Sequence, residues 1–363
     1  KAMTNHQETE QERIRKERTP LRAAVVGLGF VGAGDQVSGD AIGQQVANLD
    51  GTHAQALATH PQVRLVAGSS RDPGRRQRFE KRLGVRNTHA DWRKMLEVET
   101  LDIVGIATNS PYHAEIAIAC AESGVRAVLC EKPIATRLAD ADRAIEVCRD
   151  QGTLLVVNHN RRWHPLWRSV RDEIRDGAIG TVRHAMVHWS TGRIGNVGTH
   201  LFDALRMLLG TEAQAVSGTL DPVVQPDCRG PEYCDRGGWG IIDFSNGVKA
   251  FVHAPQEGAL PLVLRIVGTL GQVTCRGGAA EFEFSDGRTR LMSTPADHPN
   301  SMELAVLDIV NCLNNGGTPA STGQDGLAAL EMIVGFHVSN RRSGQWVPLP
   351  ISGADRELEI RIG

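Results

Sequence analysis

Little in this chain commits it to a membrane, a nucleic acid or a metal. No apolar run reaches the roughly 18 residues of a spanning helix, so no transmembrane segment is expected. The charges almost cancel: 40 lysines and arginines stand against 42 aspartates and glutamates in 363 residues, a formal net charge of -2. That balance leaves no electrostatic footprint for a nucleic acid or a membrane surface. The seven cysteines are scattered, odd in number and contain no CxxC pair, which argues against a disulfide framework and for a reducing cytoplasm. There is no HExxH and no Cys/His cluster at ligand spacing, so no metal site is expected. The first twenty residues are polar, without the pattern of a signal peptide, and read as a tail outside the fold.

What the sequence does have is alternation. From Leu21 to about Val157, short apolar runs (Ala23–Val26, Val63–Ala67, Ile103–Ala107, Ala127–Cys130, Leu154–Val157) are separated by helical patterns. Continuous apolar runs of this length fit strands buried on both faces, and strand-helix alternation predicts a doubly wound parallel sheet. Past Asn160 the pattern changes. A helix over 163–176 precedes strand-like segments at 181–190, 213–219, 239–244, 247–253, 262–267 and 280–284, with the hairpin signal Asn246-Gly247 among them. Two helices, about 302–315 and 324–340, lead to a last strand near 346–349. The expected division is a tail over 1–20, a dinucleotide-binding domain over 21–160, and an α+β domain over 161–363 with a large, mostly antiparallel sheet.

Gly27, Gly29 and Gly32 follow the first strand directly and enclose Phe30 and Val31. Such a loop gives a tight turn, close approach of backbone to a pyrophosphate, and close helix packing. The second strand runs into Gly68-Ser69-Ser70-Arg71-Asp72. An acid at that strand end binds a ribose hydroxyl, whereas an arginine accommodates a 2′-phosphate, so Ser70 and Arg71 tilt the cofactor, NAD(P), toward NADP; Arg71 stacked on adenine would serve NAD equally. Glu131-Lys132-Pro133 ends the run Ala127–Cys130 and places an amine on a stiff turn at the mouth of a buried strand, a candidate acid or base.

These pieces, with Thr108-Asn109-Ser110-Pro111-Tyr112-His113, Asn160-Arg161-Arg162-Trp163-His164-Pro165 and Gly195-Asn196-Val197-Gly198-Thr199-His200-Leu201-Phe202-Asp203, resemble the Gfo/Idh/MocA oxidoreductases over roughly residues 21 to 350. The resemblance implies a Rossmann domain joined to an open-faced β-sheet domain, often assembled into homodimers or homotetramers through that sheet. It also implies hydride transfer between a sugar or polyol carbinol and a nicotinamide. Cofactor contacts are expected from the glycine loop, Ser70, Arg71, Thr108, Asn109, His113, Glu131 and Lys132. Lys132 and His200 are the expected catalytic pair, His200 being preferred as proton acceptor and Lys132 as the group that orients the oxygen, with the reverse assignment left open.

Two departures from the family pattern stand out. Residues 33–52 look like an insertion, either a surface excursion or a flap over the site. Asn196 occupies a position where many members carry an aspartate; an amide can hydrogen-bond a hydroxyl but cannot act as a base. Substrate contacts are expected from Lys132, Arg162, Trp163, Arg193, Asn196 and His200. The cations Arg161, Arg162, His164, His188 and Arg193 suggest an anionic sugar or glycoside. Two other functions fit the same motifs: redox-neutral, NAD-dependent glycoside hydrolysis, and non-catalytic sensing of a dinucleotide or sugar.

Overall fold

The computed structural model describes residues 19–37, 49–222, 229–258 and 261–363. Most of the expected tail and of the insertion lies outside these residues.

Six strands form the first sheet: β1 (Leu21–Val26), β2 (Val63–Ser69), β3 (Asn87–His89), β4 (Ile103–Ile106), β5 (Ala127–Cys130) and β6 (Leu154–Val157). All neighbours pair in parallel, in the order β3-β2-β1-β4-β5-β6. β4 and β5 are buried at every position, which explains their unbroken apolar runs. The order reverses between β1 and β4, and a crevice opens at their carboxyl ends.

The helix that opens after the glycine loop, α1 (Phe30–Ala33), lasts four residues and ends at Gly34 in the left-handed region, φ 70°. The next helix among the described residues is α2 (His53–Thr59), where the Thr52 side chain accepts from the Gln55 N–H. α3 (Pro73–Leu83) starts with Pro73 behind Asp72, whose carboxylate accepts from Gly74 N at 2.7 Å and Arg75 N at 3.2 Å, and it stops at Gly84. α4 (Trp92–Val98), α5 (His113–Glu122) and α6 (Leu138–Asp150) complete this unit. Sequence patterning missed β3 and α4: three residues carry no readable alternation, and α4 buries only Met95.

The second sheet has nine strands: β7 (Val182–His188), β8 (Ala213–Leu220), β9 (Gly238–Phe244), β10 (Lys249–Ala254), β11 (Val263–Gly268), β12 (Gly271–Arg276), β13 (Ala279–Phe284), β14 (Thr289–Ser293) and β15 (Val347–Pro348). Their order is β14-β13-β12-β11-β7-β10-β9-β8-β15, antiparallel except for β7 with β10. The Asn246-Gly247 turn joins β9 to β10, with Gly247 at φ 83°. Three helices, α7 (Pro165–Arg175), α8 (Gly198–Leu209) and α10 (Gly323–Arg341), accompany this sheet, whereas α9 (Ser301–Asn315) packs on the first unit, its Met302, Val306, Ile309 and Val310 joining the core of Val25, Leu57 and Leu129. Capping boxes start α9 and α10, at Asn300 with Glu303 and at Thr322 with Asp325. α10 lies so close to β8 that a Cβ on Gly218 would fall 2.5 Å from the Phe336 ring, which itself stacks on Phe202 of α8. The opposite sheet face is uncovered: Met186, Trp239 and Phe251 are each about half exposed. β12 and β14 were not read from sequence; β14 is exposed at four of five positions and has no buried face to imprint a pattern.

Candidate active site

A cavity of about 730 Å³ occupies the crevice at the carboxyl ends of β1, β4 and β5, and the second unit closes it from the other side. Gly27 sits at its floor with φ 96°, where a Cβ would lie 2.3 Å from the Ala107 carbonyl oxygen, so only glycine fits. Gly32 lies behind it; a Cβ there would meet the Gly27 oxygen at 1.8 Å. Gly27, Gly29, Phe30 and Val31 line the cavity and Gly32 packs the turn. A glycine-only turn at the switch point of a parallel sheet suits a dinucleotide. Gly27, Gly29, Phe30 and Val31 would hold its phosphates, and Thr108, Asn109 and His113 border the path toward Lys132.

Beyond the end of β2 the cavity is lined by Ser70, Arg71 and Arg75. The one carboxylate in this loop, Asp72, is consumed as the α3 cap. Asp35 pairs with Arg78 through two bonds of 2.8 Å. Burial pushes the Asp35 carboxyl up, but Arg78 outweighs it and holds the group below its ordinary value.

The centre is the turn after β5. Glu131 accepts from Asn158 Nδ2 at 2.7 Å and contacts His53 Nε2 at 2.9 Å. Burial raises its pKa, but the bond to His53 and the neighbouring Lys132 prevail and bring it down to about 2. The Lys132–Pro133 peptide is cis. His113 brackets this turn: its Nδ1 lies 2.7 Å from the Pro133 oxygen and its Nε2 3.0 Å from the Thr108 oxygen. A neutral ring has one N–H, so one of those carbonyls receives it; burial lowers the pKa of this imidazole. Lys132 donates to the Asn196 backbone oxygen at 3.2 Å. Burial lowers its pKa, Glu131 opposes, Arg229 and Arg193 add to the lowering, and it settles at about 8.

His200, on the first turn of α8, borders the same cavity. Burial, then Lys132, Arg161 and His159, push its pKa well below the ordinary histidine value, so the ring is neutral at pH 7. Its Nδ1 is buried without a hydrogen-bond partner among the described residues. His159 stands edge-on to it, with ring centroids 6.2 Å apart, and its Nε2 meets Thr199 Oγ1 at 3.0 Å. Burial brings His159 down to about 4.

Asn196 is built into the wall. Its N–H donates to Asp235 Oδ2 at 2.7 Å, its Nδ2 donates to the Gly363 oxygen at 3.1 Å, and its Oδ1 accepts from Arg229 at 3.3 Å. Arg229 and Ser110 Oγ also donate to the Gly363 oxygen. Arg193 lines the cavity from a left-handed run in which Thr191, Gly192 and Arg193 have φ of 78°, 62° and 63°. Asp50 and Gly51, the described end of the expected insertion, border the cavity as well. Residues 38–48 of that insertion lie outside the described residues.

Two expected substrate contacts sit elsewhere. Arg162 turns away from the cavity: its Nε reaches both Asp203 oxygens at 2.9 and 2.8 Å, and its Nη2 reaches Asp325 at 3.0 Å. Trp163 is buried, donating Nε1 to Asp308 at 2.9 Å. Trp189, also considered for sugar stacking, is buried against Phe202. The sequence reading overlooked Asp50, Asn158 and Arg229 as cavity residues. Asn158 follows directly on a strand end, a readable position, whereas Arg229 lies in an aperiodic segment with no signal of its own.

Residues 21–159 match a family model described as oxidoreductase family, NAD-binding Rossmann fold, and residues 172–349 match its companion, oxidoreductase family, C-terminal alpha/beta domain. The chain is 28% identical over 330 residues to D-apiose dehydrogenase of Paraburkholderia graminis, spanning 82% of this chain and 86% of that one. It is 25% identical over 364 residues to scyllo-inositol 2-dehydrogenase (NAD(+)) of Bacillus subtilis, spanning 92% and 98%. In fold it is similar to the aldose-aldose oxidoreductase of Caulobacter crescentus, solved with glycerol, at a TM-score of 0.76 and 21% identity over 91% of this chain and all of the other.

Proposed function

Because this chain belongs to the Gfo/Idh/MocA oxidoreductase family, among whose members are NAD(P)-dependent sugar and polyol dehydrogenases, we propose that it oxidises a secondary carbinol of a sugar or polyol, with Lys132 as proton acceptor. A bound nicotinamide would supply the acceptor for the hydride that leaves the carbinol carbon. The observation that carries the reading is the Lys132 amine, lowered to about 8 in the cavity that His200 also lines. This reverses the preference drawn from sequence. A base works best with a pKa near the working pH, and burial together with Lys132 and Arg161 weakens His200 as an acceptor.

The division of labour follows from the contacts. The Asn196 carbonyl aims the Lys132 amine. Glu131, fixed by His53 and Asn158 and ionised down to about pH 2, stabilises the ammonium that forms when Lys132 takes the carbinol proton. Neutral His200 hydrogen-bonds the same oxygen and orients it. For oxidation, kcat/KM should rise with pH and level off above an apparent pKa near 8, because protonated Lys132 cannot accept. A profile flat between about pH 6 and pH 10 speaks against this assignment. The direct test of the function is cofactor reduction, followed by nicotinamide absorbance, with a panel of pentoses, hexoses and inositols. Absence of reduction with every member, while the dinucleotide binds, counts against it.

The adenosine end carries its own expectation. With Asp72 turned into a helix cap and Arg71 and Arg75 on the lining, a 2′-phosphate meets cations and no free carboxylate from this loop. Arg71→Ala should lower kcat/KM for NADP+ about tenfold and leave that for NAD+ within about threefold, as loss of one charge-assisted contact implies. Equal losses for both cofactors would mean that Arg71 serves adenine instead.

A further inference from the structure

The two arginines of the turn Asn160–Arg162 have opposite fates. Arg162 has its guanidinium saturated by Asp203, Asp325 and the Ala320 oxygen. Arg161, one residue earlier, borders the cavity beside His200 and makes no hydrogen bond or ion pair among the described residues. Its guanidinium carbon lies 5.0 Å from the centre of the Trp167 ring, and its Nε is buried without a partner. The nearby carboxylates are already committed. Asp203 serves Arg162, while Asp50 accepts from Ser301 N at 2.8 Å and Asn160 Nδ2 at 3.2 Å. Burial lowers the Arg161 pKa to about 10, yet it stays protonated at neutral pH.

A half-buried cation whose Nε is buried without a partner, and whose nearby carboxylates are bonded elsewhere, is incompletely compensated, and its planar fork is matched best by a planar anion. The dinucleotide phosphates do not supply it. Their expected place is the glycine loop, whereas Arg161 acts on His200, at the end of the cavity where the substrate oxygen must sit.

Resting on the dehydrogenase reading above, we propose that Arg161 is the specificity-determining residue of this site and that the substrate is a sugar acid whose carboxylate it binds. Trp167 fixes the plane of the guanidinium, and Arg193, Arg229 and Lys132 on the lining add attraction for an anion.

D-glucuronate and D-galacturonate, each beside its neutral parent sugar, are the probes. The wild-type enzyme should prefer the acids in kcat/KM by about a hundredfold, and Arg161→Gln should bring that acid-to-neutral ratio to near one through KM for the acids. Arg161→Lys should recover only part of it, because an ammonium lacks the fork. Melting curves guard against misfolding: Arg161→Gln removes no ion pair and should not melt below wild type. An acid-to-neutral ratio that is near one in the wild type, or unchanged in Arg161→Gln, overturns the proposal. Calorimetric titration of D-glucuronate into the NAD+-loaded protein separates it from the reading beneath it. Binding that Arg161→Gln abolishes, without turnover of any sugar, upholds the anion site and defeats the dehydrogenase; turnover of neutral sugars with no binding of the acids does the reverse.

Discussion

Lys132→Met should lower kcat for carbinol oxidation by about a thousandfold, the scale of a lost general base, while the dinucleotide Kd moves by no more than about threefold. Methionine keeps the length and the apolar stem but has no lone pair basic enough to take the proton. The rise of activity toward an apparent pKa near 8 should vanish from whatever rate remains. His200→Asn is the informative companion. An amide still donates to the substrate oxygen, so its loss should be about ten- to a hundredfold and the pH rise should persist. If His200→Asn is the more damaging of the two, or if Lys132→Met retains a tenth of wild-type activity, the proton goes to His200.

Asp203→Ala should be the most destabilising single change in the second unit, by about 3 to 5 kcal/mol, as expected when one member of a buried ionic cluster is removed. Asp203 is fully buried and accepts from Arg162 at two oxygens, with Arg206 at 3.5 Å and His159 at 3.8 Å. Without it, Arg162 and Arg206 compete for Asp325, and only Arg206 has a further carboxylate, Glu212. Thermal denaturation should show a drop of several degrees or more, and Arg162→Ala should reproduce much of it. Both variants change activity only as far as the fold loosens around α8. A rise in sugar KM for Arg162→Ala at unchanged melting temperature would restore Arg162 to the substrate site.

The turn after β5 shows how far local sequence reaches. Glu131-Lys132-Pro133 and the glycine loop were legible because each is a backbone requirement written in adjacent residues: a stiff turn at a strand end, a left-handed glycine where a Cβ would strike Ala107. The parallel sheet was legible for the same reason, since strands buried on both faces must be apolar throughout. β3 and β14 were not, because strands so short or so exposed carry little burial to leave a pattern.

What sequence could not assign was the use of each charge. Arg161 and Arg162 are chemically identical neighbours; one is locked to Asp203 and Asp325, far along the chain, and the other faces the cavity without a counter-ion. Trp163, a plausible sugar platform in the sequence, is a buried anchor for Asp308. The choice between Lys132 and His200 likewise depends on burial and on long-range neighbours, Glu131 supporting the charged form of one while Lys132 and Arg161 oppose that of the other. The sequence by itself determined the family, the parallel sheet and the place of the reactive turn, because these rest on short-range backbone and burial rules. Only the tertiary structure decided which cations are spent on the fold and which line the cavity, because a charge is defined by the partners that folding brings to it.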